Sequence, residues 1–235
     1  MTALAVIPAR GGSKRIPRKN IKPFHGRPMI AWSIDAALAS GCFADVIVST
    51  EDDEIAAVAE SLGASVPFRR PVALADDHTG TAEVIADACA RWAEGREPPE
   101  LVCCLYATAP FVTPDDLRRG RDRIEARGAD YAFSVTDFPY PIQRALRLTP
   151  DGGVAMMYPE HETTRSQDLE PAWHDAGQFY WGRFAAWQGL RPIFGPASVA
   201  VPLPRHRVQD IDTPEDWAIA ERLFALGVDR TRGGV

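Results

Sequence analysis

Lysine is nearly missing from this chain. Of its 26 basic residues only three are lysines, Lys14, Lys19 and Lys22, and all three fall within nine consecutive positions. Long apolar runs are missing too. None approaches the roughly 20 residues that a membrane-spanning helix needs, so no membrane partner is expected. The short run Leu4–Ile7 is too brief for the core of a secretion signal and leads at once into a basic loop, so a cytoplasmic protein is expected. The four cysteines (Cys42, Cys89, Cys103, Cys104) show no C-x-x-C spacing and read as reduced core residues. The five histidines show neither H-x-x-x-H nor Cys/His spacing, which argues against zinc. No G-x-S-x-G elbow is present, so no covalent intermediate is expected. A formal net charge of -6 makes nucleic acid an unsuitable main partner.

What is present is an ordinary globular composition. The chain has 235 residues, 46% hydrophobic and 25% charged, and reads as one domain over residues 1–235. Its charge is unevenly placed. Residues 1–30 hold seven cations (Arg10, Lys14, Arg15, Arg18, Lys19, Lys22, Arg27) and no Asp or Glu; the rest therefore carries 19 minus 32, or -13. A cationic loop on an acidic protein suits a small anionic ligand. Lysine offers a mobile point charge matched to phosphate oxygens, whereas arginine offers a planar fork. An ordinary solvated basic loop is the competing explanation.

Periodicity gives the element order. Ala3–Ile7, Asp45–Ser49, Leu101–Leu105 and Tyr131–Val135 read as buried strands. Helices are expected over Pro28–Ala39 (closed by Gly41), Asp52–Leu62 (ended by Gly63) and Gly80–Ala93 (capped by Thr79 or Thr81). A further helix is expected over Pro114–Arg127, with Thr113 as its N-cap. This alternation predicts an α/β fold with a mainly parallel, doubly wound sheet and ligands at the carboxyl ends of its strands. Between about 137 and 177 the pattern breaks into a Pro- and Gly-rich stretch, expected to be an inserted lobe that serves as a lid or dimer arm. Strands resume at Gln178–Trp181 and Ser198–Val201, and a helix over Pro214–Leu226 closes the fold. The tail Asp229–Val235 is expected to fray.

The densest motif follows the first strand: Ile7-Pro8-Ala9-Arg10-Gly11-Gly12-Ser13-Lys14-Arg15-Ile16-Pro17-Arg18-Lys19-Asn20. Glycines after a strand let backbone N–H groups approach an anion, Ser13 adds a hydroxyl, and Arg10, Lys14 and Lys19 add charge. It is neither a G-x-x-x-x-G-K-[ST] nor a G-x-G-x-x-G loop, so it reads as a phosphate loop of another type. Near the other end lies Asp210-Ile211-Asp212. In a strand, alternation places both carboxylates on one face. Two close carboxylates repel unless a cation sits between them, and such oxygens suit Mg²⁺. Asp212 could instead cap the helix beginning at Pro214, although Thr213 is placed to do so.

The N-terminal string resembles the signature of the acylneuraminate-type cytidylyltransferases, which join CTP to a nine-carbon keto-sugar acid. The resemblance covers nearly the whole chain. Later segments resemble the branch whose sugar is pseudaminic acid: Tyr106-Ala107-Thr108-Ala109-Pro110-Phe111, Thr164-Arg165-Ser166-Gln167-Asp168-Leu169, His174-Asp175-Ala176-Gly177-Gln178-Phe179-Tyr180-Trp181 and Arg205-His206-Arg207-Val208-Gln209-Asp210-Ile211-Asp212. The resemblance implies a nucleotidyltransferase fold, a homodimer, and CTP and a nonulosonic acid as partners. It assigns the nucleotide's phosphates and ribose to Arg10, Ser13, Lys14, Lys19 and Asn20, and the base to Arg70 but not Arg69; Gly11, Gly12 and Thr79 are further candidate nucleotide contacts. It assigns Mg²⁺ to Asp210 and Asp212. Arg10, Lys14, Lys19, Asp210 and Asp212 would then carry catalysis.

On the sugar side it implies Arg165 for the carboxylate, with Tyr106, Gln178, Phe179 and Tyr180 lining the pocket. Relatives acting on N-acetylneuraminate commonly carry Gln where this chain has Tyr106, which favours a less hydroxylated sugar face. Tyr106 and Phe179 could equally be plain core. N-acetylneuraminate or legionaminate as the acceptor, and a non-catalytic nucleotide-sugar sensor, remain alternatives.

Overall fold

Strand β1 (Ala3–Pro8) is buried along Ala3–Ile7, as a strand covered on both faces must be. It pairs in parallel with β4 (Asp45–Ser49) on one side and β5 (Leu101–Leu105) on the other. The computed structural model describes residues 2–76 and 78–232. Between β1 and β4 lie the two-residue strands β2 (Pro23–Phe24) and β3 (Arg27–Pro28), which pair as a small ribbon, and helix α1 (Met29–Ser40). Helices α2 (Asp53–Ser61) and α3 (Thr81–Ala93) follow β4, and α4 (Pro114–Arg127) follows β5. β6 (Tyr131–Asp137) leads into a peripheral hairpin of β7 (Leu146–Leu148) and β8 (Val154–Met156). The chain returns through β9 (Trp173–Arg183), α5 (Phe184–Gln188), β10 (Ser198–Pro202) and α6 (Pro214–Arg232).

The central sheet has six strands in the order β10-β6-β9-β5-β1-β4. Five run parallel. β9 runs antiparallel to both of its neighbours, an orientation that an apolar run cannot reveal. Its amino-terminal half therefore lies beside the carboxyl ends of β5 and β6. That reversal delivers the lobe to the ligand-binding edge of the sheet.

Helices cover both faces. One face packs Ile30, Ile34, Ile55, Leu117 and Ile124 against the sheet; the other packs Ile85, Cys89 and Trp187. A third cluster stands apart and joins Ile16 and Phe24 to Ile211, Trp217 and Ala220. Burying Ile211 in it contributes about 2 kcal/mol. More importantly, it ties the early basic loop to the segment before α6.

Several boundaries differ from the sequence reading. β6 and β9 reach further than their apolar cores, so the lobe spans residues 138–172 rather than 137–177. Helix α3 starts after Gly80, whose amide donates to Glu83 Oε2 at 3.1 Å, so neither Thr79 nor Thr81 is its cap. Helix α6 runs to Arg232, where fraying from Asp229 was expected; residues 233–235 of that tail lie outside the described residues. The free cysteines are all buried, as expected. Among the described residues no helix is long and apolar enough to cross a membrane.

Candidate active site

The carboxyl ends of β1, β4 and β5 lie side by side because those strands are neighbours. Above them opens a cleft of about 360 Å³, within the range of small-ligand pockets. The loop after β1 gives it Arg10, Ser13, Lys14, Arg15, Lys19 and Asn20. The segment before α3 gives Arg70, Asp76 and Thr79; β5 leads into Tyr106 and Thr108; and Asp212 closes the far side.

The loop keeps its shape through contacts of its own. Asn20 is buried and its Nδ2 donates to the Arg10 carbonyl at 3.0 Å, which joins the two ends of the loop. The Gly11 amide donates to Glu51 Oε1 at 2.7 Å. A Cβ on Gly11 would stand 2.5 Å from Asp52 Oδ2, so only glycine fits. This corrects the expected role of the glycines. Gly11 directs its N–H at Glu51, and neither Gly11 nor the exposed Gly12 lines the cleft. They shape the loop, and side chains present the charge.

Arg18 is the loop's structural cation. It adopts φ +56 and pairs with Asp52 at 2.5 Å and with Glu54 at 2.5 Å. The guanidinium holds the Asp52 carboxyl down to about 2. Asp52 also caps α2, accepting from the Ile55 amide at 2.9 Å.

Arg10 bridges to the opposite rim, donating to the Asp76 carbonyl at 2.7 Å. Asp76 folds that rim by accepting from the His78 and Thr79 amides at 2.9 and 2.7 Å and from the Thr79 hydroxyl at 2.7 Å. Arg70 is buried beneath the cleft, with its guanidinium on the Ser49 carbonyl and its Nε 3.1 Å from Ser49 Oγ. Burial pushes its pKa down while the Glu51 charge opposes this. Arg69 points outward to Asp53 at 2.9 Å. Arg70 lines the cleft and Arg69 does not.

The early cations and the late carboxylate meet. Lys19 Nζ donates to the Ile211 carbonyl at 2.7 Å and to Asp212 Oδ1 at 3.1 Å, and Arg15 reaches Asp212 Oδ2 at 2.6 Å. Burial pushes the Asp212 carboxyl up, but Lys19 and Arg15 outweigh it and hold the carboxyl below its usual value. Asp210 behaves oppositely. Partial desolvation and the charge of Asp212 push it up. Residues 208–212 form no strand, which corrects the expected strand alternation; Ile211 is buried, and of the two carboxylates Asp212 alone, not Asp210, is among the residues lining the cleft. Thr213 caps α6, with its Oγ1 accepting from the Asp216 amide at 3.2 Å, and Asp212 is left to face the cleft.

A family model described as cytidylyltransferase matches residues 4–183. The chain belongs to the cytidylyltransferase family. It is 44% identical to a pseudaminic acid cytidylyltransferase of Campylobacter jejuni, over 96% of this chain and 97% of that one. It is 33% identical to a CMP-N,N'-diacetyllegionaminic acid synthase of Legionella pneumophila, over 96% and 97% of the two chains. A CMP:2-keto-3-deoxy-manno-octonic acid synthetase, solved in complex with CTP, shares the fold with a TM-score of 0.69 at 17% identity, covering 97% of this chain and 100% of that one.

The residues expected to line a sugar pocket depart most from expectation. Tyr106 lines the cleft and shares a 3.2 Å hydrogen bond with the Thr81 hydroxyl. Burial pushes its phenol up to about 12. Tyr180 stands behind it, ring centroids 5.5 Å apart, and does not reach the cleft. Phe179 is fully buried on the other face of β9 in the main core, so for this residue the core alternative holds. Gln178 is buried, and its Nε2 donates to the Ala176 carbonyl at 3.2 Å. Its Oε1 has no partner among the described residues. Arg165 lies on the lobe, exposed and paired with Asp168 at 2.8 Å. Sequence reasoning missed Arg15, although it stands inside the quoted motif. It also gave no cleft role to Thr81, whose partner Tyr106 is remote in sequence.

Proposed function

We propose that this enzyme transfers CMP from CTP to the anomeric hydroxyl of pseudaminic acid. The anomeric hydroxyl releases its proton to solvent as its oxygen bonds to the α-phosphorus, the bond from that phosphorus to the bridging oxygen of the β-phosphate breaks, and pyrophosphate leaves with that oxygen. The observation that carries the reading is the meeting of Lys19 and Asp212 at 3.1 Å in one cleft. A cationic loop and a carboxylate at that spacing suit a triphosphate and its counter-ion.

The residues divide the task. Arg10, Ser13, Lys14 and Lys19 bind the triphosphate and offset charge on the departing pyrophosphate. Asn20 keeps the loop closed. Arg70, held rigid by Ser49, supports the base end. Tyr106 and Thr108 form the acceptor end. These groups hold acceptor and α-phosphate in line, and positioning of this kind supplies much of the rate.

Asp212, with Asp210 beside it, suits Mg²⁺ as a resident ion. Among the described residues no cluster of three or more His, Cys, Asp or Glu could hold a metal. Mg²⁺ does not require one, because it takes one or two carboxylates and completes its shell with phosphate oxygens and water. The raised Asp210 and its neighbour Asp212 form a hard-oxygen pair that gains from a cation. When bound, Mg²⁺ would polarise the phosphate oxygens. The lobe supports a homodimer: Tyr140, Leu148 and Val154 are 79, 82 and 64% exposed, apolar surface suited to a second copy. A cytoplasmic location agrees with four reduced, buried cysteines.

The test is an acceptor panel: CTP with pseudaminic, N,N'-diacetyllegionaminic or N-acetylneuraminic acid, with and without EDTA, read by pyrophosphate release. Pseudaminic acid should give the highest kcat/KM, and EDTA should abolish it. Preference for another acid would overturn the choice of sugar. Tight CTP binding without turnover on any of them would overturn catalysis.

A further inference from the structure

Asp175 and Tyr180 are five residues apart in one strand. In a regular strand they would stand roughly 16 Å apart and face opposite sides of the sheet. Here the Tyr180 hydroxyl donates to Asp175 Oδ2 at 2.5 Å. Two features make this possible. The pairing of β9 with β6 shifts register between Phe133 and Val135. Gly177 adopts φ +60, a conformation that a side chain disfavours, and its amide donates to Asp175 Oδ1 at 2.9 Å. Both oxygens of Asp175 are thus engaged, one by the bulge and one by Tyr180. Bulges of this type re-aim side chains and gather near active sites.

The contact continues towards the cleft. Tyr180 is held on its other side by Phe133, stacked with centroids 6.0 Å apart. It bears on Tyr106, whose backbone is pinned twice: its amide donates to the Gln178 carbonyl at 3.0 Å, and its carbonyl accepts from Ser33 Oγ at 2.8 Å. The Tyr106 hydroxyl meets Thr81 at the cleft wall. Asp175 lies outside the cleft, yet the packing that orients a cleft residue begins at it.

We propose that Asp175 is a positioning residue for acceptor selection: through the Gly177 bulge and Tyr180 it fixes the Tyr106 ring as the sugar-side wall of the cleft. This rests on the reading of the cleft as a sugar-acid site. A wall held by an aromatic ring rejects sugars that need a polar partner there, because their polar groups would lose water without gaining a hydrogen bond. Release of the wall relaxes that rejection. The contacts named here run through Phe133, Gln178, Ser33 and Thr81, and not through Lys19 or Asp212.

The experiment compares wild type, Tyr180→Phe, Asp175→Ala and Asp175→Asn on the three-acid panel. KM for CTP and the melting temperature are measured in parallel. Tyr180→Phe keeps the ring and removes only the hydroxyl. We expect it and Asp175→Ala to raise KM for the preferred acid roughly tenfold and to shrink the kcat/KM ratio between acids by a similar factor, with KM for CTP within about twofold. Asp175→Asn retains an acceptor oxygen and should recover most of the discrimination. An unchanged ratio between acids in folded Tyr180→Phe would overturn the proposal, as would equal increases in both KM values. The ratio is taken relative to whichever acid the wild type prefers. A wrong sugar therefore defeats the functional reading and leaves this inference standing or falling by itself.

Discussion

At one end of the cleft, Arg15 and Lys19 meet Asp212 through contacts of 2.6 and 3.1 Å between charged groups that are partly open to solvent. At the other, the cleft residue Tyr106 is backed by Tyr180 and Asp175, both outside the cleft, through aromatic packing and a single carboxylate anchor. The first end is adjustable. Its cations neutralise Asp212 in this structure, and under the proposed function they would turn to phosphate when a nucleotide arrives. The second end is set by packing, so its shape precedes the ligand. A charged end suits a ligand part common to all CTP-using relatives, and a packed end suits the part that varies among them.

The sharpest way to break this contrast is at Asp212. Asp212→Ala should lower kcat by roughly 100-fold or more, because under the proposed function this carboxylate would hold the Mg²⁺ that polarises the reacting phosphates. Its side chain is 39% exposed, so the melting temperature should barely move. Turnover within about tenfold of wild type at saturating Mg²⁺ would remove Asp212 from the machinery. Next in size is Lys19→Ala, which should raise KM for CTP roughly tenfold and leave KM for the sugar acid within about twofold. If the sugar-acid constant rose equally, the two ends would not be separable.

The smallest effect concerns the loop's own scaffold. Asp52 is held to about 2 in the folded state, against roughly 3.9 unfolded. Its folded value is depressed, so its contribution is complete above about pH 4 and is lost as pH falls towards 2. Arg18 is 37% exposed and solvent screens the pair, so about 1 kcal/mol is expected rather than the full linkage value. Asp52→Asn keeps a cap for α2. It should lower the melting temperature by about 2–4 °C at pH 7, and the gap should close between pH 4 and pH 2. A gap independent of pH would assign the loss to packing instead.

The same contrast explains what could be read before any coordinates. The fold was legible because buried parallel strands are continuous apolar runs: Asp45–Ser49 and Leu101–Leu105 are reproduced to the residue. The charged end was legible because lysine is confined to one loop, and an Asp doublet far along the chain has few uses. The packed end was not. Nothing in a run such as Gln178–Trp181 says that the strand is antiparallel, or that Phe179 turns to the core while Tyr180 turns towards Tyr106. The Asp175–Tyr180 contact depends on one left-handed glycine and one register shift, neither of which has a sequence period. The role of Gly11 was misjudged for a related reason. A glycine beside a strand signals close approach without saying to what, and here it is Asp52.

The most direct test of the central claim is a crystal structure of the enzyme with CTP and Mg²⁺. The account predicts the triphosphate lying between the Ser13–Lys19 side chains and Asp212, with Lys19 turned from Asp212 towards a phosphate oxygen. A triphosphate bound elsewhere, with Lys19 still on Asp212 and the cleft vacant, would contradict it.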